Sequence, residues 1–125
     1  MAAKILIVDD SSTIRHQVGT TLAGAGYDVI EAADGAQGLS AIDAQRDIAL
    51  VICDLNMPNM NGLEMLLAVK ADPRNARLPI VMLTSEAKAD LIQQAKRSGA
   101  KGWVVKPFKP DQLLSAVRKI VGASA

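Results

Sequence analysis

Short apolar runs alternate with segments of helical spacing along the whole chain, and this alternation constrains the fold more than any other feature. The runs are KILIV at 4–8, YDVIEA at 27–32, IALVIC at 48–53, PIVML at 79–83 and GWVV at 102–105. Each has strand length and carries β-branched residues. All except the weaker second run lack the apolar–polar alternation of a half-solvated strand, so they predict a parallel sheet covered on both faces. Between them, Ile14, Val18 and Leu22 recur every four residues after Asp10-Ser11-Ser12, which offers N-caps. Leu39 and Ile42 follow Gly35; Leu63, Leu66, Leu67 and Lys70 follow Gly62; Leu91, Ile92 and Ala95 precede Gly99. Pro110 opens a last segment whose apolar face is Leu113, Leu114, Val117, Ile120 and Val121. Right-handed crossovers turn this β-α order into a doubly wound α/β sandwich. Aromatic residues make up only 2% of the chain, so the core is expected to be aliphatic. Residues 1–125 show no linker, repeat or low-complexity stretch and are expected to form a single domain, with the tail GASA frayed.

Several function classes recede at once. A formal charge of +1 gives no bulk attraction to nucleic acid or to an acidic membrane. No apolar run approaches the ~20 residues of a membrane helix. The start MAAKILIVDD is too short in apolar residues to be a secretion signal. The single cysteine, Cys53, lies inside an apolar run and is expected to be buried and inert. The expectation is a cytoplasmic protein without DNA or membrane partners.

Open parallel sheets place ligands at the carboxyl ends of their strands. The first run ends in Asp9-Asp10, the third in Asp54, the fourth in Thr84-Ser85-Glu86 and the fifth in Lys106-Pro107. Any one of these is ordinary turn or surface chemistry: Asp9 or Asp10 as a helix cap, Thr84 as a strand residue, Lys106 as a solvated charge. Together they bring carboxylates, a hydroxyl and an ammonium to one edge. Crowded carboxylates repel, and a divalent cation relieves that cost. Oxygen ligands without a His or Cys set favour Mg²⁺ over zinc. Mg²⁺, Lys and a hydroxyl suit the oxygens of a phosphoryl group, and a carboxylate among them suits attack on phosphorus to give an aspartyl phosphate. The lone His16 lies about 200° round its helix from Ile14, on the solvent side, and is no phosphocarrier candidate.

The segments ILIVDDS, VICDLNMPNMNGLEML, LPIVMLTSEA and GWVVKPF, in this order and spacing, resemble the receiver domain of bacterial two-component response regulators, and most of all its single-domain chemotaxis type. The resemblance covers essentially the whole chain. It implies a five-stranded flavodoxin-like parallel sheet of order 2-1-3-4-5 without an effector domain. It implies that Asp54 is the phosphoacceptor, that Asp10 and Asp54 reach Mg²⁺ directly, that Asp9 acts on it largely through water, and that the backbone carbonyl of Asn56 adds a ligand. Lys106 is then expected to contact phosphoryl oxygens and Thr84 to hydrogen-bond to one, with Lys106-Pro107 a cis peptide. Asn56 and Glu86 match positions that tune hydrolysis of the acyl phosphate.

The same resemblance names partners: a histidine kinase as phosphodonor, an output target such as the flagellar motor switch, and a phosphatase. It describes a mostly monomeric switch that catalyses only its own phosphorylation and slow dephosphorylation. The output face is expected on the fourth helix, fifth strand and fifth helix, where Lys88, Lys96, Arg97, Lys101, Trp103, Lys109, Arg118 and Lys119 fall. Trp103 stands where the family has Tyr or Phe. Its larger ring and its N–H put full inward rotation in question, and the expectation is that it stays exposed as a contact residue. A phosphorelay intermediate or another stand-alone receiver is the alternative role. A haloacid dehalogenase-type hydrolase is disfavoured, since the first strand ends in Asp9-Asp10-Ser11 rather than Asp-x-Asp and no cap insertion is present. A phosphorylation-independent module is disfavoured because all five key residues are retained.

Overall fold

The computed structural model describes residues 2–122, and within them strands and helices alternate from end to end. The order is β1 (Lys4–Val8), α1 (Ser12–Gly24), β2 (Asp28–Ala32), α2 (Gly35–Ala44), β3 (Ile48–Cys53), α3 (Gly62–Ala71), β4 (Ile80–Thr84), α4 (Ala89–Arg97), β5 (Gly102–Val105) and α5 (Pro110–Val121), with a 3-10 turn at Pro73–Asn75. Of the tail expected to fray, residues 123–125 lie outside the described residues. The strands form one parallel sheet in the order β2-β1-β3-β4-β5, as the resemblance implied.

Local chemistry sets the helix ends. Ser11 caps α1 by accepting from the Ile14 amide at 3.3 Å. The acids expected as alternative caps do something else: Asp9 accepts from the Ser11 amide and so shapes the turn ahead of the helix. Asp34 caps α2 through the Gln37 amide at 2.8 Å. Asn61 and Glu64 form a reciprocal capping box at the start of α3. Pro110 occupies the first turn of α5, where a missing N–H costs nothing. Gly99, one residue past the Ser98 cap of α4, has φ +112, a conformation L side chains avoid.

Two aliphatic cores sandwich the sheet. On one side Ile5, Ile7, Leu50, Ile52, Val81 and Leu83 meet Val18 and Leu22 of α1 and Leu113 and Val117 of α5. On the other, Leu6, Val8, Val51, Cys53, Ile80 and Met82 meet Ile42 of α2, Met65, Leu66 and Val69 of α3, and Ala95 of α4. Covering on both faces explains why these strands do not alternate. The apolar face expected on α3 is shifted: Met65, Leu66 and Val69 are buried, whereas Leu67 is 54% exposed. Leu66 and Leu67 are neighbours 100° apart, and the sheet accommodates only one of them. On α4 only Ala95 is fully buried, with Leu91 and Ile92 half-buried. Among the described residues no helix is long and apolar enough to cross a membrane.

Cys53 ends β3 inside the second core, with its thiol against the Met65 sulfur and the Asp54 carbonyl. Burial pushes this thiol far above its ordinary range, and the charges of Asp54 and Asp9 push it further the same way. Since only the thiolate reacts, the native protein should resist an aromatic disulfide reagent at neutral pH and react fully in denaturant. Stoichiometric labelling of the folded protein within minutes would contradict the buried position.

Candidate functional site

The carboxyl ends of β1, β3, β4 and β5 deliver the polar groups to one edge of the sheet. Asp9 and Asp54 are 2% and 7% exposed, and Thr84, the last residue of β4, is fully buried. Asp10 is exposed. Carboxylate oxygens of Asp9, Asp10 and Asp54 all lie within 4.8 Å of one another. The Lys106 ammonium, 17% exposed, sits 2.8 Å from Asp9 Oδ2 and 3.4 Å from Asp54 Oδ2. It is no solvated surface charge. Its backbone N–H is anchored to the Thr84 carbonyl at 2.9 Å, and the Lys106-Pro107 peptide is cis, as expected.

Main-chain bonds hold the acids in place. Asp9 N–H donates to the Ala32 carbonyl at 3.1 Å and Asp54 N–H to the Val8 carbonyl at 3.0 Å. Asp9 spends one carboxylate oxygen on the Ser11 amide at 2.9 Å and the other on Lys106. Gly62 lets α3 begin directly against the main chain of Asp54. A Cβ there would lie 2.2 Å from the Asp54 carbonyl oxygen and 2.9 Å from Leu55 Cα, so no other residue fits without moving the loop. That requirement was invisible in the sequence, where Gly62 read only as a helix boundary.

The remaining predicted residues fall into two groups. Asn56 is exposed in the loop after Asp54, and Glu86 is half-buried two residues beyond Thr84. The Glu86 amide donates to the Thr84 hydroxyl oxygen at 3.4 Å, and the Glu86 carbonyl accepts from the Trp103 indole N–H at 2.8 Å. Trp103 is not exposed as expected: it is half-buried, packed on the core beneath α2 to α4, and hydrogen-bonded. A buried indole N–H takes an acceptor, and the β4–α4 loop supplies one. Lys88 and Lys109 stand exposed at the N-caps of α4 and α5 without capping bonds. Lys96, Arg97, Lys101, Arg118 and Lys119 are exposed as well, and none of these cations joins an ion pair among the described residues. His16 is exposed, as its helical position required.

The arrangement gathers three acids at the mouth of a parallel sheet, two of them in contact with one ammonium, a set of oxygen donors that could hold a hard cation. Residues 5–118 match the model of the response regulator receiver domain. The chemotaxis protein CheY1 of Helicobacter pylori J99 is 42% identical over 123 residues, 97% of this chain and 98% of that protein. The CheY homolog of Campylobacter jejuni 81-176 is 38% identical over 124 residues, 98% of this chain and 95% of that one. The solved structure of chemotaxis protein CheY4 from Vibrio cholerae superimposes with a TM-score of 0.91 at 42% identity, over 96% of this chain and 99% of that one. A CheX–CheY–BeF3–Mg²⁺ complex from Borrelia burgdorferi matches at TM-score 0.89 and 28% identity, over 94% and 88%. The chain belongs to the response regulator receiver domain family, the signal-receiving module of two-component systems.

Three carboxylates around one ammonium leave uncompensated negative charge. Asp54→Asn should therefore raise the metal-free melting temperature by roughly 4 °C, the equivalent of about 1 kcal/mol for a chain of this size. Calorimetry in a chelator checks this; a fall in melting temperature would mean that the Lys106–Asp54 contact outweighs the repulsion.

Proposed function

We propose that this chain is a phosphorylation-driven signalling switch whose phosphoacceptor is Asp54. The observation that carries the reading is Lys106, just after β5, held between Asp9, just after β1, and Asp54, just after β3. In the proposed reaction an Asp54 carboxylate oxygen bonds to phosphorus while the bond from phosphorus to the nitrogen of a kinase phosphohistidine breaks. The released imidazole takes up a proton. Lys106 meets the charge of the phosphoryl oxygens, and Thr84 gives one of them a hydroxyl donor. Oxygen ligands from Asp9, Asp10, Asp54 and the Asn56 carbonyl fit Mg²⁺, which when bound supplies the positive charge that the acids and the incoming phosphoryl group lack. Asn56 and Glu86 flank the approach of water and set how long the acyl phosphate lasts.

The output follows from the hydrogen bonds between the site and β5. Drawing Thr84 toward a phosphoryl group pulls on the Glu86 amide, and the Glu86 carbonyl carries Trp103 with it. Trp103 lies beside Lys101 and Lys119, on a face where the exposed cations of α4 and α5 join no ion pair among the described residues, a surface suited to an acidic amphipathic peptide. Likeness to chemotaxis proteins of similar length supports a role in chemotaxis, with a flagellar motor switch component as the leading target, in the cytoplasm, and a phosphatase as a further partner.

Trp103 is the sole tryptophan, so its emission reports on this linkage alone. Beryllofluoride together with Mg²⁺, a stand-in for the bound phosphoryl group, should shift that emission and alter hydrogen exchange at residues 85–88. Neither component alone should do so, nor both with Asp54→Asn. Unchanged emission and exchange in the wild-type chain would overturn the switch.

A further inference from the structure

Arg15, which lies outside the carboxylate cluster, holds the acidic turn from behind. It sits in the first turns of α1 with a side chain only 17% exposed. Its Nη1 donates to the backbone carbonyl of Asp9, and its Nε donates to Glu31 Oε1 of β2 at 3.1 Å. The Asp9 main chain is thus gripped on both sides, by the Ala32 carbonyl at its N–H and by Arg15 at its C=O.

The consequence falls on Asp10. Asp9 is fixed by its own side-chain contacts to Ser11 and Lys106. Asp10 is exposed, and its carboxylate has no hydrogen bond or ion pair among the described residues. Its direction therefore comes from the backbone. The Asp9 carbonyl and the Asp10 amide and Cα share one rigid plane, so a donor that fixes the carbonyl fixes the plane from which the Asp10 side chain departs. A guanidinium is suited to this task. Its planar fork can donate to the carbonyl and to Glu31 together, and the second bond keeps the first from rotating away.

We infer that Arg15, braced by Glu31, is a positioning residue of the metal centre: it sets the Asp9–Asp10 peptide plane and so aims Asp10 at the cation. The inference rests on the proposed Mg²⁺ site. Charge and position make opposite demands, which allows them to be separated. A nearby cation that acted by charge alone would compete with Mg²⁺, and its removal would tighten binding. A positioning residue lost from behind a ligand weakens binding, typically by tenfold or more.

The test is Mg²⁺ titration calorimetry on the unphosphorylated full chain, alongside melting curves in a chelator. The wild type should bind Mg²⁺, and Arg15→Met should bind about tenfold more weakly at a comparable metal-free melting temperature. Arg15→Lys, which keeps a donor for the carbonyl but no planar fork, should recover part of the loss. Arg15→Met combined with Glu31→Ala should be as weak as Arg15→Met alone, because Glu31 acts through Arg15; a charge effect would instead return the balanced double variant to wild-type affinity. If Arg15→Met does not fold, Arg15→Lys decides, because it keeps the charge and removes only the fork: it should weaken binding severalfold while leaving the metal-free melting temperature unmoved, and unchanged affinity overturns the inference. A wild-type chain that binds no Mg²⁺ removes the metal reading and this inference with it. A wild type that binds, with Arg15→Met equal or tighter, overturns the inference alone.

Discussion

The ammonium of Lys106, 2.8 Å from Asp9 and 3.4 Å from Asp54, is the contact around which the functional edge of this protein is arranged. Asp9 lies 97 residues from it along the chain, and only the crossed strand order brings the groups together. β1 and β3 are hydrogen-bonded neighbours at the centre of the sheet, and β4 links them to the edge strand β5. The apolar strands exclude water from Asp9 and Asp54, so these two charges interact more strongly than they would in solution. One ammonium does not neutralise three acids. The site is left with an electrostatic deficit that a divalent cation suits, and a cation in turn makes room for the charge of a phosphoryl group.

From that edge a short chain of hydrogen bonds leads to the surface that would signal. Thr84 takes the Glu86 amide, and the Glu86 carbonyl takes the Trp103 indole. The chain passes through one loop of the β4–α4 connection and ends on β5, whose pairing with β4 already ties Lys106 to the Thr84 carbonyl. The site and the proposed output surface therefore share the same two strands. An indole at position 103 changes the character of this link. Its N–H is committed to a main-chain acceptor, so a movement of the aromatic ring and a movement of the loop are one event rather than two.

The fold was legible because the strands advertise themselves. Runs such as IALVIC and KILIV are apolar without alternation, and only a sheet covered on both faces explains that. The acids and the lysine were legible because they stand at the ends of those runs. Other features depend on contacts that no local pattern encodes. Gly62 matters because the Asp54 carbonyl passes within 2.2 Å of where its Cβ would be. Arg15 binds a backbone carbonyl and a glutamate on another strand, so nothing in its neighbours marks it. Trp103 was expected at the surface because its size argued against turning inward; the Glu86 carbonyl was the partner that expectation lacked. On α3, the apolar residues Leu66 and Leu67 were indistinguishable until the sheet chose between them.

The most direct test of the account is the intact mass of the protein after brief exposure to Mg²⁺ and a small phosphodonor, quenched rapidly. The account expects one added phosphoryl group on the wild-type chain, absent without metal and absent in Asp54→Asn. An adduct that persists in Asp54→Asn would place the acceptor elsewhere. No adduct on a chain shown separately to bind Mg²⁺, even at the shortest quench times, would contradict the claim that this carboxylate cluster is built to receive phosphate.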